Sequence, residues 1–130
     1  MDRKPVVLVV EDNYILLDLL STLCERQGIT ATAVSSGEDA MAFLRGNPGE
    51  VDWLFTDINL PGLIDGWVVA EAYRALNPGR PVIYTSASRL PERSAVAGSV
   101  FLRKPFRVND LVELVRMMAA PPRRALRAAG

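Results

Sequence analysis

Apolar residues along this chain fall into short blocks separated by turn-forming residues. Val6-Val7-Leu8-Val9-Val10 has no polar member, the pattern of a strand buried on both faces of a parallel sheet, and it predicts a first, central strand. Asn13 can cap a helix carrying Ile15, Leu16, Leu19, Leu20 and Leu23 at helical spacing, with Gly28 as its stop. Ile29 to Val34 reads as a second strand. Ser35-Ser36-Gly37-Glu38 opens another helix, with Ala40, Met41, Phe43 and Leu44 on its apolar side and Gly46-Asn47-Pro48-Gly49 as the break.

The same alternation continues to the end. Asp52-Trp53-Leu54-Phe55-Thr56 predicts a third strand ending at Asp57, Leu60-Pro61-Gly62 a turn, and Trp67 to Leu76 a helix preceded by Gly66. Pro81 to Thr85 predicts a fourth strand and Ser99 to Leu102 a short fifth. Between them Ser88 to Gly98 is weakly patterned, so a fourth helix there is expected to be short or disordered. Leu111, Val112, Leu114, Val115 and Met118 form the apolar side of a last helix that Pro121-Pro122 ends.

Strand then helix, repeated five times, implies an α/β fold: a parallel five-stranded sheet, doubly wound, with helices on both faces and right-handed crossovers. Ligands of such folds sit outside the carboxyl ends of the strands. The residues closing the strands here are Glu11-Asp12, Asp57, Thr85-Ser86 and Arg103-Lys104, so carboxylates, hydroxyls and an ammonium are expected to share one cleft.

Composition narrows the chemistry. The chain has 130 residues, 49% of them hydrophobic, which suits one globular domain. Its 15 basic and 15 acidic residues cancel, so no nucleic-acid partner is expected from bulk charge. With no histidine, the chain holds no Ser-His-Asp triad, no His-ligated zinc and no phosphohistidine of its own. Cys24 is the single cysteine; it excludes an intrachain disulfide and reads as a core residue. The apolar start, Pro5 to Val10, is too short for a signal peptide or a spanning helix, so no membrane partner is expected and a cytoplasmic location is.

Crowded carboxylates raise each other's pKa unless a cation lies among them. Magnesium fits an all-oxygen site best, because it takes hard ligands and is held by one or two carboxylates together with phosphate; manganese could substitute. A metal beside a carboxylate, a hydroxyl and a lysine suits phosphoryl chemistry, and an aspartate can itself be the nucleophile. Asp57 is the candidate acceptor, Glu11 and Asp12 the metal holders, with Ser86 and Lys104 directed at phosphate oxygens. Each residue also has a plainer reading. Glu11-Asp12-Asn13 can cap the first helix, Asp57 can serve the turn before Pro61-Gly62, and Ser86 and Lys104 can be an ordinary strand-end hydroxyl and a solvated loop charge.

Taken in order, Val9-Val10-Glu11-Asp12-Asn13, Phe55-Thr56-Asp57-Ile58-Asn59-Leu60-Pro61-Gly62 with Asp65-Gly66, Pro81 to Ala87, and Lys104-Pro105-Phe106 resemble the receiver domain of two-component response regulators. The resemblance spans residue 5 to about 118 and implies a (βα)5 flavodoxin-like fold. It also implies that Asp57 accepts a phosphoryl group from a phosphohistidine on a histidine kinase or histidine phosphotransfer protein. Glu11, Asp12, Asp57 and the Asn59 carbonyl would coordinate magnesium. Ser86 takes the place of the hydroxyl that bonds a phosphoryl oxygen, and Lys104 that of the basic residue, with a cis bond before Pro105. Phe101 matches the aromatic residue that changes rotamer.

Two departures from the family pattern stand out. The loop from Asp57 to Asp65-Gly66 is one residue longer than the commonest spacing, and Ser86 to Lys104 is a few residues shorter, the loss falling on the fourth helix. The expected organisation is a receiver domain over residues 1–120 and a basic, disordered tail over 121–130, leaving no room for a DNA-binding module. The expected function is phospho-acceptance in a phosphorelay, with output by protein contact, including a second copy, or by shuttling. No turnover is expected beyond its own phosphorylation and slow dephosphorylation. The alternatives are a docking module excised from a hybrid kinase and an Asp-nucleophile phosphatase; the second lacks the usual second acid, since Asn59 stands two residues after Asp57.

Overall fold

A computed structural model describes residues 3–87 and 95–119. Five strands, β1 (Val6–Val10), β2 (Thr30–Val34), β3 (Trp53–Asp57), β4 (Val82–Ser86) and β5 (Val100–Arg103), form one parallel sheet in the order β2-β1-β3-β4-β5. Four helices are present among the described residues: α1 (Tyr14–Arg26), α2 (Gly37–Gly46), α3 (Gly66–Leu76) and α4 (Val108–Ala119). Of the expected short helix over Ser88 to Gly98, residues 88–94 lie outside the described residues, and 95–98 form a turn closed by a Ser99 N–H to Val96 carbonyl bond of 3.3 Å. The expected tail, 121–130, also lies outside them.

Strand alternation divides the core into two layers. Val7, Val9, Phe55 and Ile83 face α1 and α4, where they meet Leu17, Leu20, Cys24, Leu111, Leu114 and Met118. The intervening residues Leu8, Val10, Leu54, Val82 and Tyr84 face the other way, toward Ala40, Leu44, Val69, Ala70 and Tyr73 of α2 and α3. A strand with one polar face could not fill both layers, so the wholly apolar β1 and the apolar first three residues of β3 (Trp53-Leu54-Phe55) and β4 (Val82-Ile83-Tyr84) follow from their central places. β2 lies at an edge and is mixed, Thr-Ala-Thr-Ala-Val, with only partial burial.

Helix starts are encoded locally. Asn13 accepts the Ile15 and Leu16 N–H groups, Ser36 accepts from Asp39, and Asp65 accepts from Val68, each satisfying donors that a first turn leaves unpaired. The first helix ends at Gln27 and the chain turns through Gly28 at φ +78°. At the amino end of the sheet Asp52 does structural work: its carboxylate accepts the Val6 N–H at 2.8 Å and the Arg3 guanidinium at 3.0 and 3.1 Å.

Candidate functional site

The strand order reverses direction of growth between β1 and β3, and the loops leaving those strands part to opposite faces, opening a crevice at their carboxyl ends. Glu11 follows β1 directly and is fully buried, its backbone N–H bonded to the Val34 carbonyl. Asp12, the next residue, is exposed. Asp57 ends β3 in register with Thr85 of β4 and is 6% exposed. Carboxylate oxygens of Glu11, Asp12 and Asp57 all lie within 4.8 Å of one another.

Such a cluster needs a positive charge, and Lys104 supplies one. Its Nζ lies 2.8 Å from Glu11 Oε1 and 3.0 Å from Asp57 Oδ2. The Lys104-Pro105 bond is cis, as the sequence resemblance implied, and the Lys104 N–H donates to the Ser86 carbonyl at 2.9 Å, tying this loop to the end of β4. Burial by itself would lower the pKa of this lysine. The two carboxylate hydrogen bonds together outweigh it and carry the group above its ordinary 10.5. Burial raises Glu11 from its usual value, and the Asp57 charge adds to that; hydrogen bonds from Lys104 and the Asn13 N–H oppose it without cancelling it.

Ser86 closes β4 and is buried. Asn59 is exposed, and its backbone N–H reaches Asp57 Oδ1 at 3.3 Å. The fold thus brings Glu11, Asp12, Asp57 and Lys104 into one contact group, with Ser86 and Asn59 adjoining it through backbone bonds. Gly66 matters here as well. A Cβ on it would strike the Asp57 carbonyl oxygen and lie 2.7 Å from Ile58 Cα, so only glycine lets α3 start this close to the end of β3.

The donors are all oxygens, and two of the three carboxylates are buried. That is a set for a hard divalent cation, since soft metals favour nitrogen and sulfur ligands. Beside the donors the Lys104 ammonium is hydrogen-bonded to two of the three carboxylates, so the group combines oxygen ligands with a positive charge. A profile described as the response regulator receiver domain matches residues 7–116. The chain belongs to that family.

Among relatives of this receiver, the uncharacterized transcriptional regulatory protein YbdJ of Bacillus subtilis is 30% identical over 117 residues, covering 86% of this chain and 49% of YbdJ. Hybrid signal transduction histidine kinase L of Dictyostelium discoideum is 29% identical over 120 residues, 85% of this chain but 7% of the kinase. The receiver is therefore similar to one portion of each longer protein. The crystal structure of a response regulator receiver protein from Sinorhizobium medicae superposes with a TM-score of 0.80 at 31% identity, covering 89% of this chain and 94% of that one. The receiver domain of the hybrid histidine kinase CckA superposes at 0.74 with 27% identity, covering 88% and 99%.

Two hydrogen bonds and one unpaired hydroxyl beside the site have no counterpart in the sequence patterns. Glu38 of α2 accepts the Leu63 N–H at 2.9 Å from the loop that follows Asp57. The Tyr84 hydroxyl accepts the Val96 N–H at 3.1 Å, while its ring stacks on Phe101 at 5.1 Å and lies 4.8 Å from Trp67. Thr85 Oγ1 is buried with no hydrogen-bond partner among the described residues. The cap signals of Ser36 and Asp65 were local enough to find; these longer contacts join residues with no fixed spacing.

Proposed function

We propose that this receiver accepts a phosphoryl group on Asp57 from a phosphohistidine of a histidine kinase or histidine phosphotransfer protein. The observation that carries the reading is the bridge from Lys104 to both Glu11 and Asp57, which places one amine between two carboxylates at the crevice where the central strands end. This chain has no histidine, so the donor lies outside it.

Asp57 presents a carboxylate oxygen to phosphorus. As the new O–P bond forms, the P–N bond breaks and its electron pair stays with the donor's imidazole nitrogen. Lys104 would turn from the Asp57 carboxylate to a phosphoryl oxygen, keeping its charge against the growing negative one. Ser86 would donate its hydroxyl to another. Glu11, Asp12, Asp57 and the Asn59 carbonyl would hold a magnesium ion, which when bound neutralises charge on the transferring oxygens. Backbone atoms and buried side chains fix most of this in advance, so little reorganisation accompanies transfer.

The module is a signalling switch that acts on its own acceptor and hydrolyses the acyl phosphate slowly. Output is by protein contact or by passing the group onward. The likeness to a portion of hybrid kinases supports a second reading, in which the same domain is one unit of a longer kinase chain.

Incubation with magnesium and acetyl phosphate should add one phosphoryl group that hydroxylamine removes, read by intact mass. Asp57→Asn should abolish the gain. Labelling that persists in this variant overturns Asp57 as acceptor. Turnover of phosphate monoesters would instead revive a phosphatase.

A further inference from the structure

The loop between Asp57 and α3 rests its middle on the first turn of α2. Its ends are fixed by backbone bonds: the Asn59 N–H to Asp57 Oδ1 at 3.3 Å, and the Gly66 N–H to the Ile58 carbonyl at 2.8 Å. Leu60 and Ile64 reach the core with half-buried side chains, but Leu63 is 97% exposed and anchors nothing by packing. What meets the backbone there is the Glu38 carboxylate, which accepts the Leu63 N–H at 2.9 Å.

Two glycines make that approach feasible, one on each side. Gly62 has φ +89°, and a Cβ there would lie 2.8 Å from both Glu38 carboxylate oxygens. Gly37 precedes Glu38, and a Cβ there would meet Ile64 Cγ2 at 2.8 Å and its carbonyl carbon at 2.9 Å. Consecutive backbone N–H groups after a left-handed glycine form a concave seat for an anion. In this protein a side chain fills the seat. Glu38 does not touch the acid crevice, yet the segment it holds begins two residues after Asp57 with Asn59, whose carbonyl the proposed function assigns to the metal.

We infer that Glu38 is a positioning residue for the acceptor site: its carboxylate fills the seat by accepting the Leu63 N–H and holds the Asp57–Gly66 loop in the shape that serves magnesium binding. This rests on the acceptor reading above. Glu38→Ala opens the seat, whereas Glu38→Gln keeps a carbonyl oxygen that can still accept the Leu63 N–H.

The test measures three quantities in the wild-type, Glu38→Ala and Glu38→Gln proteins: amide exchange at Leu63, the magnesium dependence of tryptophan fluorescence, and the rate of labelling by acetyl phosphate. Glu38→Ala should speed exchange at Leu63 and raise half-saturating magnesium about tenfold, the low end of the loss when a group orienting metal ligands is removed. Glu38→Gln should stay within about twofold of wild type by the same reasoning. Unchanged exchange, or faster exchange with unchanged magnesium dependence, overturns the inference while leaving a labelled Asp57 in place. A wild-type protein that neither binds magnesium nor labels brings down the acceptor reading and this inference together.

Discussion

Lys104 Nζ sits 3.0 Å from Asp57 Oδ2, although 47 residues separate them along the chain. The same nitrogen is closer still to Glu11, so one ammonium balances two buried carboxylates that β1 and β3 bring to adjacent strand ends. Removing the amine leaves both carboxylates without a countercharge among the described residues, each keeping one backbone N–H. Lys104→Met should cost about 1–3 kcal/mol of stability without magnesium, less than a fully buried pair because Lys104 retains 21% exposure. Magnesium should narrow the gap by binding only the folded form. Urea unfolding of both proteins with and without the ion checks this; equal stabilities without it would refute the balance.

Gly66→Ala should lower stability by about 2–3 kcal/mol, because the added methyl meets backbone that cannot yield as a flexible side chain would. The strained atoms belong to Asp57 and Ile58, so labelling by acetyl phosphate should fall as well. A variant with wild-type urea midpoint and wild-type labelling rate would show that α3 starts farther from β3 than described.

Thr85 and Ser86 are neighbours on β4 with opposite expectations. The Thr85 hydroxyl is buried without a hydrogen bond among the described residues, so Thr85→Val should raise stability by about 1 kcal/mol, relieving an unmet desolvation cost. Phosphoryl uptake should be unaffected. Ser86→Ala should slow labelling while changing stability little. Reversal of this pattern in paired denaturation and labelling measurements would move the functional hydroxyl to Thr85.

Burial, with a smaller contribution from the Glu25 charge, pushes the Cys24 thiol up from 9.0 to about 11. The unfolded chain therefore gives up this proton at lower pH than the native protein does. The sign follows: below 9.0 the thiol adds no pH dependence, and between 9.0 and about 11 stability should fall as pH rises. The effect should reach about 2 kcal/mol in urea unfolding and should be missing from Cys24→Ala, which leaves every other titrating group in place. Parallel pH profiles for the two proteins would refute it.

Much of this architecture was legible because the burial demands are local. The runs Val6–Val10 and Trp53–Asp57 differ from β2 because central strands have two faces to bury and an edge strand does not. The four strand-end positions converge for the same reason, since register carries Glu11, Asp57, Ser86 and Lys104 to one end of the sheet. The boundaries of β4 and β5 shift by one residue toward the carboxyl end relative to the sequence pattern, because pairing with their neighbours continues to Ser86 and Arg103. What escaped notice were bonds from side chains to distant backbone. Glu38 to Leu63 spans 25 residues, and Tyr84 to Val96 spans 12; neither leaves a period to detect.

Chain order gives the crevice an asymmetric history. Glu11, Asp12 and Asp57 are all in place by the end of the third strand, whereas Lys104 arrives only behind the fifth, which pairs at the rim of the sheet. During synthesis, a nascent polypeptide therefore carries its three clustered acids well before their amine leaves the ribosome. Docking of that final strand both completes the sheet and delivers the countercharge.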